Sequence, residues 1–487
     1  MSASGFAPHQ IRAIAEAIAR EISAQSSPPP AGGSPAARPG PGGVALGGGA
    51  FATVDEAVGA ARQAFFQFGG IGLEHRKRII ANLRAVLSAE ADSLAREAWQ
   101  ETGLGRYQDK VHKNRLVIDK TPGPEELVPR AISGDRGLAL IEPAPFGVIG
   151  AITPTTNPTS TIICNGIGML SAGNTVAFNV HPRAKRVSVR TVQLMNQAIV
   201  AAGGPPNTVT CVAEPTIESA QALMTHRLVR LVVVTGGPGV VGEAMRSGKR
   251  AICGGPGNPP AVVDESADLD EAGRLIVEGH SFDNNIICVD EKEVIAVDRI
   301  TDDLKAAMRR HGAYELPASE LSRLEAVIFA KNAGPRGHAK VNRDLVGQNA
   351  SVILDKLGIH VGPEVRAVLV EVPNDHPLIW TEQMMPVLPI TRARNVDEAI
   401  DLAVAAEGGN FHTATMHSHD LPSLSKMARL SNCSIFVKNG TGVGGLGHHG
   451  EGYTSFTIAS PTGEGLTTPL SFSRWRRCTV TDHFRIT

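Results

Sequence analysis

The stretch LVVVTGGPGVVGEAMRSG, residues 231–248, changes character within a few positions, and its reading decides the fold. Leu231 to Val234 form an unbroken apolar run rich in β-branched valine, which suits a strand buried on both faces. The run ends at Thr235. Gly236 and Gly237 supply a turn, and Pro238 has the fixed φ that suits a first helical turn. Backbone N–H groups at such a helix start can face a phosphate. The glycines do not follow GxGxxG, so the standard dinucleotide fingerprint is absent. A plain β–α turn accounts for these residues equally well.

The same rhythm extends to either side. NTVAFNV (174–180) and NTVTCVA (207–213) are further short apolar runs separated by helical patterns. Buried parallel strands joined by crossover helices fit this alternation and place the chain in the α/β class. Upstream, TVDEAVGAARQAFFQF (53–68) reads as a helix capped by Thr53 or Asp55. Residues 74–103 read as one or two more helices, with Gly103 as a stop. GLALIEPAPFGVIGAITP (137–154) is rich in β-formers and prolines and reads as strand, turn, strand. There is no internal repeat.

A chain of 487 residues can hold two or three domains with sizeable cores. Its 42% hydrophobic and 20% charged residues are the balance of an ordinary soluble enzyme. A net charge of −1 gives no support to nucleic-acid binding, which usually shows a basic excess. No apolar run reaches the roughly 18 residues of a membrane span. The first residues lack the apolar core of a secretion signal, so an intracellular compartment is expected. The six cysteines (Cys164, Cys211, Cys253, Cys288, Cys433 and Cys478) stand far apart with no CxxC pair. That argues against a disulfide framework or a zinc site and leaves packing or a single nucleophile.

The front end is distinct. Ile11, Ile14, Ile18 and Ile22 form one helical stripe, with Arg12, Glu16, Arg20 and Glu21 on other faces. The Pro/Gly-rich residues that follow, up to residue 49, read as an unpacked linker. A tethered helix with an unburied stripe either folds back on the body or docks in a groove of another protein, and the tether favours docking. A membrane surface fits less well, because Glu mixes with Arg on the polar face and no Trp or Phe lies on the stripe.

Three segments concentrate chemistry. ITPTTNPTSTIICNGIGMLSAGN (152–174) holds Asn157 in a stiff loop between Pro154 and Pro158. An amide held there can donate to a developing oxyanion, although a turn or a cap would use the same residue. RAICGGPGNPPAVVDESADLD (250–270) sets glycines and prolines in a tight irregular loop before a strand. HSFDNNIICVDEK (280–292) places Cys288 after two isoleucines, where it could be nucleophile, ligand or core residue.

Taken in order, these segments resemble the aldehyde dehydrogenase superfamily from about Phe51 to the C-terminus. VTGGPGVV (234–241), GGPGNPPAVVDESADLD (254–270) and TEQMMPVLPI (381–390) are similar to its cofactor turn, its glycine-rich segment and its Glu-containing segment. TNPTSTIICNGIGMLSAGN (156–174), SFDNNIICVDEKEV (281–294), NFHTATMHS (410–418) and GEGYTSFTIASPTGEG (450–465) look like the CoA-acylating branch. Within it they resemble the propionaldehyde dehydrogenase type of bacterial microcompartments. Enzymes of that type carry a short encapsulation helix on a linker, as residues 1–24 and 25–49 would be.

The resemblance implies an aldehyde dehydrogenase fold with a Rossmann-like cofactor domain at 50–245, interrupted by a β arm at 131–145. A catalytic domain would follow at 246–443 and a C-terminal segment at 444–487. In that segment SFSRWRRCTVTD (471–482) would pair with a neighbouring subunit's arm, giving a homodimer or tetramer. It further implies that Cys288 adds to an aldehyde, with Asn157 and the Cys288 N–H holding the oxyanion, and that NAD takes the hydride. Thr235, Gly236, Gly237, Pro238, His181, Pro182 and Glu382 would hold the cofactor. His181 stands where relatives have lysine, which puts the usual ribose contact in doubt and leaves room for a site shared with CoA. Thr454, Ser455 and Phe456 would border the aldehyde. His412 is a candidate for proton handling or pocket shaping, equally readable as a structural histidine, and His448–His449 read as loop surface.

Hydrolytic members of the superfamily have a glutamate before the paired glycines, as a base for water. Here Arg250-Ala251-Ile252-Cys253 precede Gly254-Gly255. Without that base, commonly worth about 10²–10⁴-fold, CoA becomes the expected acceptor. The expected reaction is CoA-dependent oxidation of propionaldehyde or acetaldehyde to acyl-CoA, with hydrolysis to the free acid as the alternative. A chain that mainly organises a compartment through its N-terminal helix is a further alternative. The expected setting is a microcompartment lumen in the bacterial cytoplasm, with a shell protein as partner and no metal, nucleic acid or membrane.

Overall fold

The computed structural model describes residues 45–484. The isoleucine stripe and the linker as far as residue 44 lie outside them. Residues 45–49, expected as the end of a free linker, instead lie against the helix Lys185–Ala201. Gln193 Nε2 donates to the carbonyls of Ala45 and Gly47 at 3.1 and 3.0 Å, and Asn196 Nδ2 to that of Gly48 at 3.1 Å. Glycine is required at Gly49, where φ is +103° and a Cβ would lie 2.5 Å from the Val209 carbonyl oxygen.

Six parallel strands form the first sheet, in the order Ala50–Phe51, Val209–Val212, Thr175–Asn179, Val148–Ile152, Val229–Thr235 and Ala251–Gly254. The strand, turn and helix read at 231–248 are present: Val229–Thr235, an N-cap at Gly237, and Pro238–Arg246. Chain order reverses between Val148–Ile152 and Val229–Thr235. Such a switch point opens a crevice at the carboxyl ends of the strands. Because Ala251–Gly254 pairs with Val229–Thr235, the first sheet ends at Gly254, beyond the boundary at 245/246 expected from the sequence. The chain leaves this sheet at the glycine-proline loop, not at the preceding helix end.

A second sheet of seven parallel strands runs Ala313–Glu315, Ala367–Glu371, Val387–Ala393, Glu293–Val297, Pro260–Val263, Thr413–His417 and Ile435–Lys438. Its central strands are fully buried, which is why they read as plain apolar runs rather than alternating ones.

Helix ends follow local chemistry. Glu56 N–H donates to Thr53 Oγ1 at 3.2 Å and Thr53 N–H to Glu56 Oε2 at 3.1 Å, so the reciprocal cap starts Val54–Phe68 at Thr53 rather than Asp55. Residues 74–103 form a single helix, Leu73–Thr102, ended by Gly103 at φ 66°. Helix Pro158–Ser171 is buried at every position. Ile162, Ile163, Ile167 and Leu170 are sealed from water there, each worth about 1.5–3 kcal/mol. This anchors the loop that carries Asn157.

Arg130–Gly134 and Gly137–Pro145 form the expected antiparallel arm. The C-terminal strand Ser473–Thr481 pairs with it along its whole length, Ser473 opposite Pro145 and Thr481 opposite Gly137. Within the chain this strand completes the arm and forms one edge of a three-stranded sheet. No helix among the described residues is long and apolar enough to cross a membrane.

Candidate active site

The switch-point crevice is a cavity of about 720 Å³. The first sheet and its loops contribute residues 152–157, His181, Pro182, Thr235, Gly236, Gly237 and Pro238. Ile286, Ile287, Cys288 and Glu382 come from the second half of the chain, and Leu446, Ser455 and Phe456 from the C-terminal segment. A larger crevice of about 1050 Å³ lies beside Lys305 and Arg392, but these two pair with Glu371 and none of the candidate residues borders it.

Cys288 is presented by an unusual turn. Asp283, Asn284 and Asn285 have φ of 46°, 56° and 66°, successive left-handed residues. Asp and Asn visit that region more readily than other side chains with a Cβ, which explains the Asp-Asn-Asn run. The turn is then fastened. Asn284 Nδ2 donates to the Gly347 carbonyl at 2.9 Å and Asn285 Nδ2 to the His280 carbonyl at 2.9 Å. Lys292 Nζ donates to Asn285 O, Asn285 Oδ1 and Ile287 O at 2.9, 2.9 and 3.0 Å. Asp290 Oδ2 accepts from Ile287 N–H at 3.0 Å.

The Cys288 sulfur is half-buried. Burial pushes its thiol up to about 12, the Glu382 charge adds to that, and the Lys292 ammonium opposes it. At neutral pH the sulfur rests as a thiol. The Glu382 carboxyl is itself raised by burial, against the pull of Lys292 and the Gly257 N–H it accepts.

Asn157 occupies the N-cap position of Pro158–Ser171, yet its side chain caps nothing. Its Oδ1 accepts from Lys113 Nζ at 2.6 Å and its Nδ2 donates to Thr156 Oγ1 at 3.1 Å. Lysine has no acceptor, so the carbonyl end of the amide must face Lys113. Lys113 also pairs with Asp283, which Lys110 reaches at 3.0 Å, all three side chains being buried. Sequence reading missed this cluster. Asp109, Lys110 and Lys113 lie on one face of helix Tyr107–Lys120, and a charged helical face normally signals solvent.

The opposite wall suits a phosphate. Helix Pro238–Arg246 has no side-chain cap on its first N–H groups. A Cβ at Gly236 would lie 2.8 Å from Val240 Cγ1, so glycine keeps the turn tight there. Thr235 Oγ1 is bound to Thr457 Oγ1 at 2.7 Å. His181 Nδ1 accepts from Arg183 N–H at 3.2 Å, and burial with the Arg183 charge lowers its pKa, so the ring is neutral.

Two candidate residues stand off the cavity. Thr454, expected beside the aldehyde, is fully buried behind the wall, with its N–H on the Lys120 carbonyl at 3.1 Å. The chain turns inward only at Ser455 and Phe456. His412 lies behind Cys288: a Cβ on Gly257 would lie 2.6 Å from Cys288 O and 3.0 Å from His412 Cγ. Burial and Lys292 push His412 down to about 3, and its Nδ1 meets Thr413 Oγ1 at 2.9 Å. Its Nε2 is buried without a hydrogen-bond partner among the described residues. His448, expected at the surface, is half-buried against the rings of Phe282, His112 and His449, whereas His449 is exposed. Cys253, the residue before the paired glycines, is buried in its strand, and among the described residues Glu382 is the one carboxylate on the cavity wall.

The crevice brings a strand-turn-helix unit to a cysteine and a fixed amide, and comparison with known proteins gives the class. The aldehyde dehydrogenase family model matches residues 46–455, and the chain belongs to that family. The chain is 48% identical over 439 residues to an acetylating acetaldehyde dehydrogenase of Salmonella typhimurium, covering 90% of this chain and 93% of that protein. It is similar to the crystal structure of Rhodopseudomonas palustris propionaldehyde dehydrogenase with bound CoA and an acylated cysteine, at TM-score 0.86 and 48% identity, over 90% and 99% of the two chains. It also resembles a propionaldehyde dehydrogenase from the Clostridium phytofermentans fucose utilisation microcompartment, at TM-score 0.87 and 43% identity, over 90% and 100%.

Proposed function

We propose that this protein oxidises a short aliphatic aldehyde, propionaldehyde or acetaldehyde, to its acyl-CoA with reduction of NAD. The observation that carries the reading is a single cavity in which Cys288 and Asn157 meet an uncapped helix start, with no carboxylate ahead of Gly254-Gly255. Cys288, once ionised, adds to the aldehyde carbon and forms a thiohemiacetal. Asn157 Nδ2 and the Cys288 N–H hold the oxygen that becomes negative. Thr235, Gly236, Gly237, Pro238, His181, Pro182 and Glu382 would hold NAD, which would supply the hydride acceptor. A thioester remains on Cys288. The CoA thiolate attacks it, the Cys288 sulfur leaves, and the acyl group departs on CoA. Thioester exchange is nearly balanced, so the reaction runs in either direction. Ile286, Ile287, Leu446 and Phe456 give the cavity apolar walls suited to a short alkyl chain.

Histidine at position 181, where relatives have lysine, borders the cavity and favours successive use of the same site by NADH and CoA. The free edge of the arm, Arg130–Gly134, exposed at every residue, supports assembly into a dimer or tetramer. Residues 1–24 are proposed to dock on a microcompartment shell protein, on the strength of their isoleucine stripe. Deleting them should leave activity in solution and abolish co-purification with shell protein; unchanged co-purification argues against docking. The central test is NADH formation from propionaldehyde with and without CoA, with product identified by mass spectrometry. Turnover should follow CoA. Equal turnover without CoA, giving propionate, would establish the hydrolytic reading instead.

A further inference from the structure

The Lys113 ammonium meets oxygen atoms from two different loops. It donates to Asn157 Oδ1 at 2.6 Å and the Thr156 carbonyl at 3.4 Å, and it pairs with Asp283 Oδ2. Asp283 is in turn held on every side. Its Oδ1 accepts from Arg106 N–H at 2.6 Å, its Oδ2 from Lys110 at 3.0 Å, and its own N–H donates to Asp109 Oδ2 at 2.9 Å. It also begins the left-handed run that leads to Cys288. One buried cation therefore bridges the loop of Asn157 and the loop of Cys288.

This bridge has a chemical consequence. A free asparagine amide can rotate by half a turn and offer its oxygen instead of its NH₂. An oxygen facing a forming oxyanion would repel it. Asn157 sits where its side chain could cap a helix, and it forgoes that bond for Lys113. We propose that Lys113 is a positioning residue: it fixes the amide of Asn157 with the NH₂ group toward the cavity and ties it to the segment bearing Cys288. The proposal rests on the oxyanion role of Asn157 given above.

The test is a cycle of Lys113→Met, Asn157→Ala and the double variant, read as kcat for CoA-dependent propionaldehyde oxidation. The KM for NAD and the rate of Cys288 alkylation by iodoacetamide, a reaction that forms no oxyanion, are read alongside. Asn157→Ala should lose about 10²–10³-fold in kcat, and Lys113→Met at least about 30-fold. KM for NAD and alkylation should stay within about twofold, and Lys113→Met should add less than about threefold once Asn157 is alanine. An equal Lys113→Met loss in both backgrounds, or alkylation falling in step with kcat, would make Lys113 merely structural and overturn the proposal. Full activity in Asn157→Ala would sink the oxyanion reading first and the proposal with it. Should Lys113→Met fail to fold, Lys113→Met/Asp283→Asn removes both charges and is read against the same outcomes.

Discussion

The two walls of the cavity are built on opposite plans. The wall with Cys288 and Asn157 is backed by buried ionisable groups: Lys110, Lys113 and Asp283 form a sealed ionic cluster, and Asp290 and Lys292 are sealed beside Cys288, the Asp290 carboxyl raised well above the usual range by burial. The wall around Thr235 to Pro238 has an apolar strand end, two glycines and an uncapped helix start. Removing one member of a buried ion pair costs about 3–5 kcal/mol, so the first wall resists displacement while bonds change. The second presents backbone donors that no side chain occupies. Rigidity is concentrated around Cys288 and Asn157, the proposed reacting groups, and openness at the proposed cofactor turn.

Mutations should separate the walls. The largest effect belongs to Cys288→Ala, which should reduce aldehyde oxidation to background while NAD binding, followed by calorimetry, persists. Loss of both together would mean the walls are not independent. Next is the ionisation of Cys288. With the thiol near 12, alkylation should rise about tenfold per pH unit from 7 to 9, since thiolate is the reactive form. A plateau within that range would show that the thiol titrates lower. On the open wall, Gly236→Val meets Val240 and should raise the KM for NAD several-fold with little change in kcat. A selective fall in kcat would place Gly236 with the reacting wall.

The smallest effect lies outside both. His417 is buried and held down to about 4 by burial, whereas an unfolded histidine titrates near 6.5. Between these values the unfolded chain binds the extra proton, so stability falls as pH drops from about 6.5 to 4. His417→Gln should flatten that part of the thermal-unfolding profile by roughly 3 kcal/mol at most, with activity at pH 7.5 unchanged.

Legibility followed the range of the interaction. The turn at Gly236–Gly237, the cap at Thr53 and the stop at Gly103 depend on residues a few positions apart, and the sequence reading located the turn and the stop and narrowed the cap to Thr53 or Asp55. Cys288 and Asn157 were legible as candidates because stiff or polar loops announce them. Their setting was not. Lys113 reaches Asp283 across most of the first sheet's chain length, and its helix looks solvated when read alone. Ser455 and Thr454 are neighbours, yet only one reaches the cavity, and that choice depends on where the chain crosses the first sheet's edge. The pairing of Ser473–Thr481 with Gly137–Pro145 likewise joins distant parts of the chain, which no short pattern encodes.

Cys478 sits opposite Leu140 on that outer strand, its sulfur open to solvent. In an oxidising buffer two molecules meeting there would become joined by a disulfide remote from Cys288. Such a preparation would show a covalent pair on a gel run without reductant, dispersed by dithiothreitol, and it would be a product of storage rather than the native assembly.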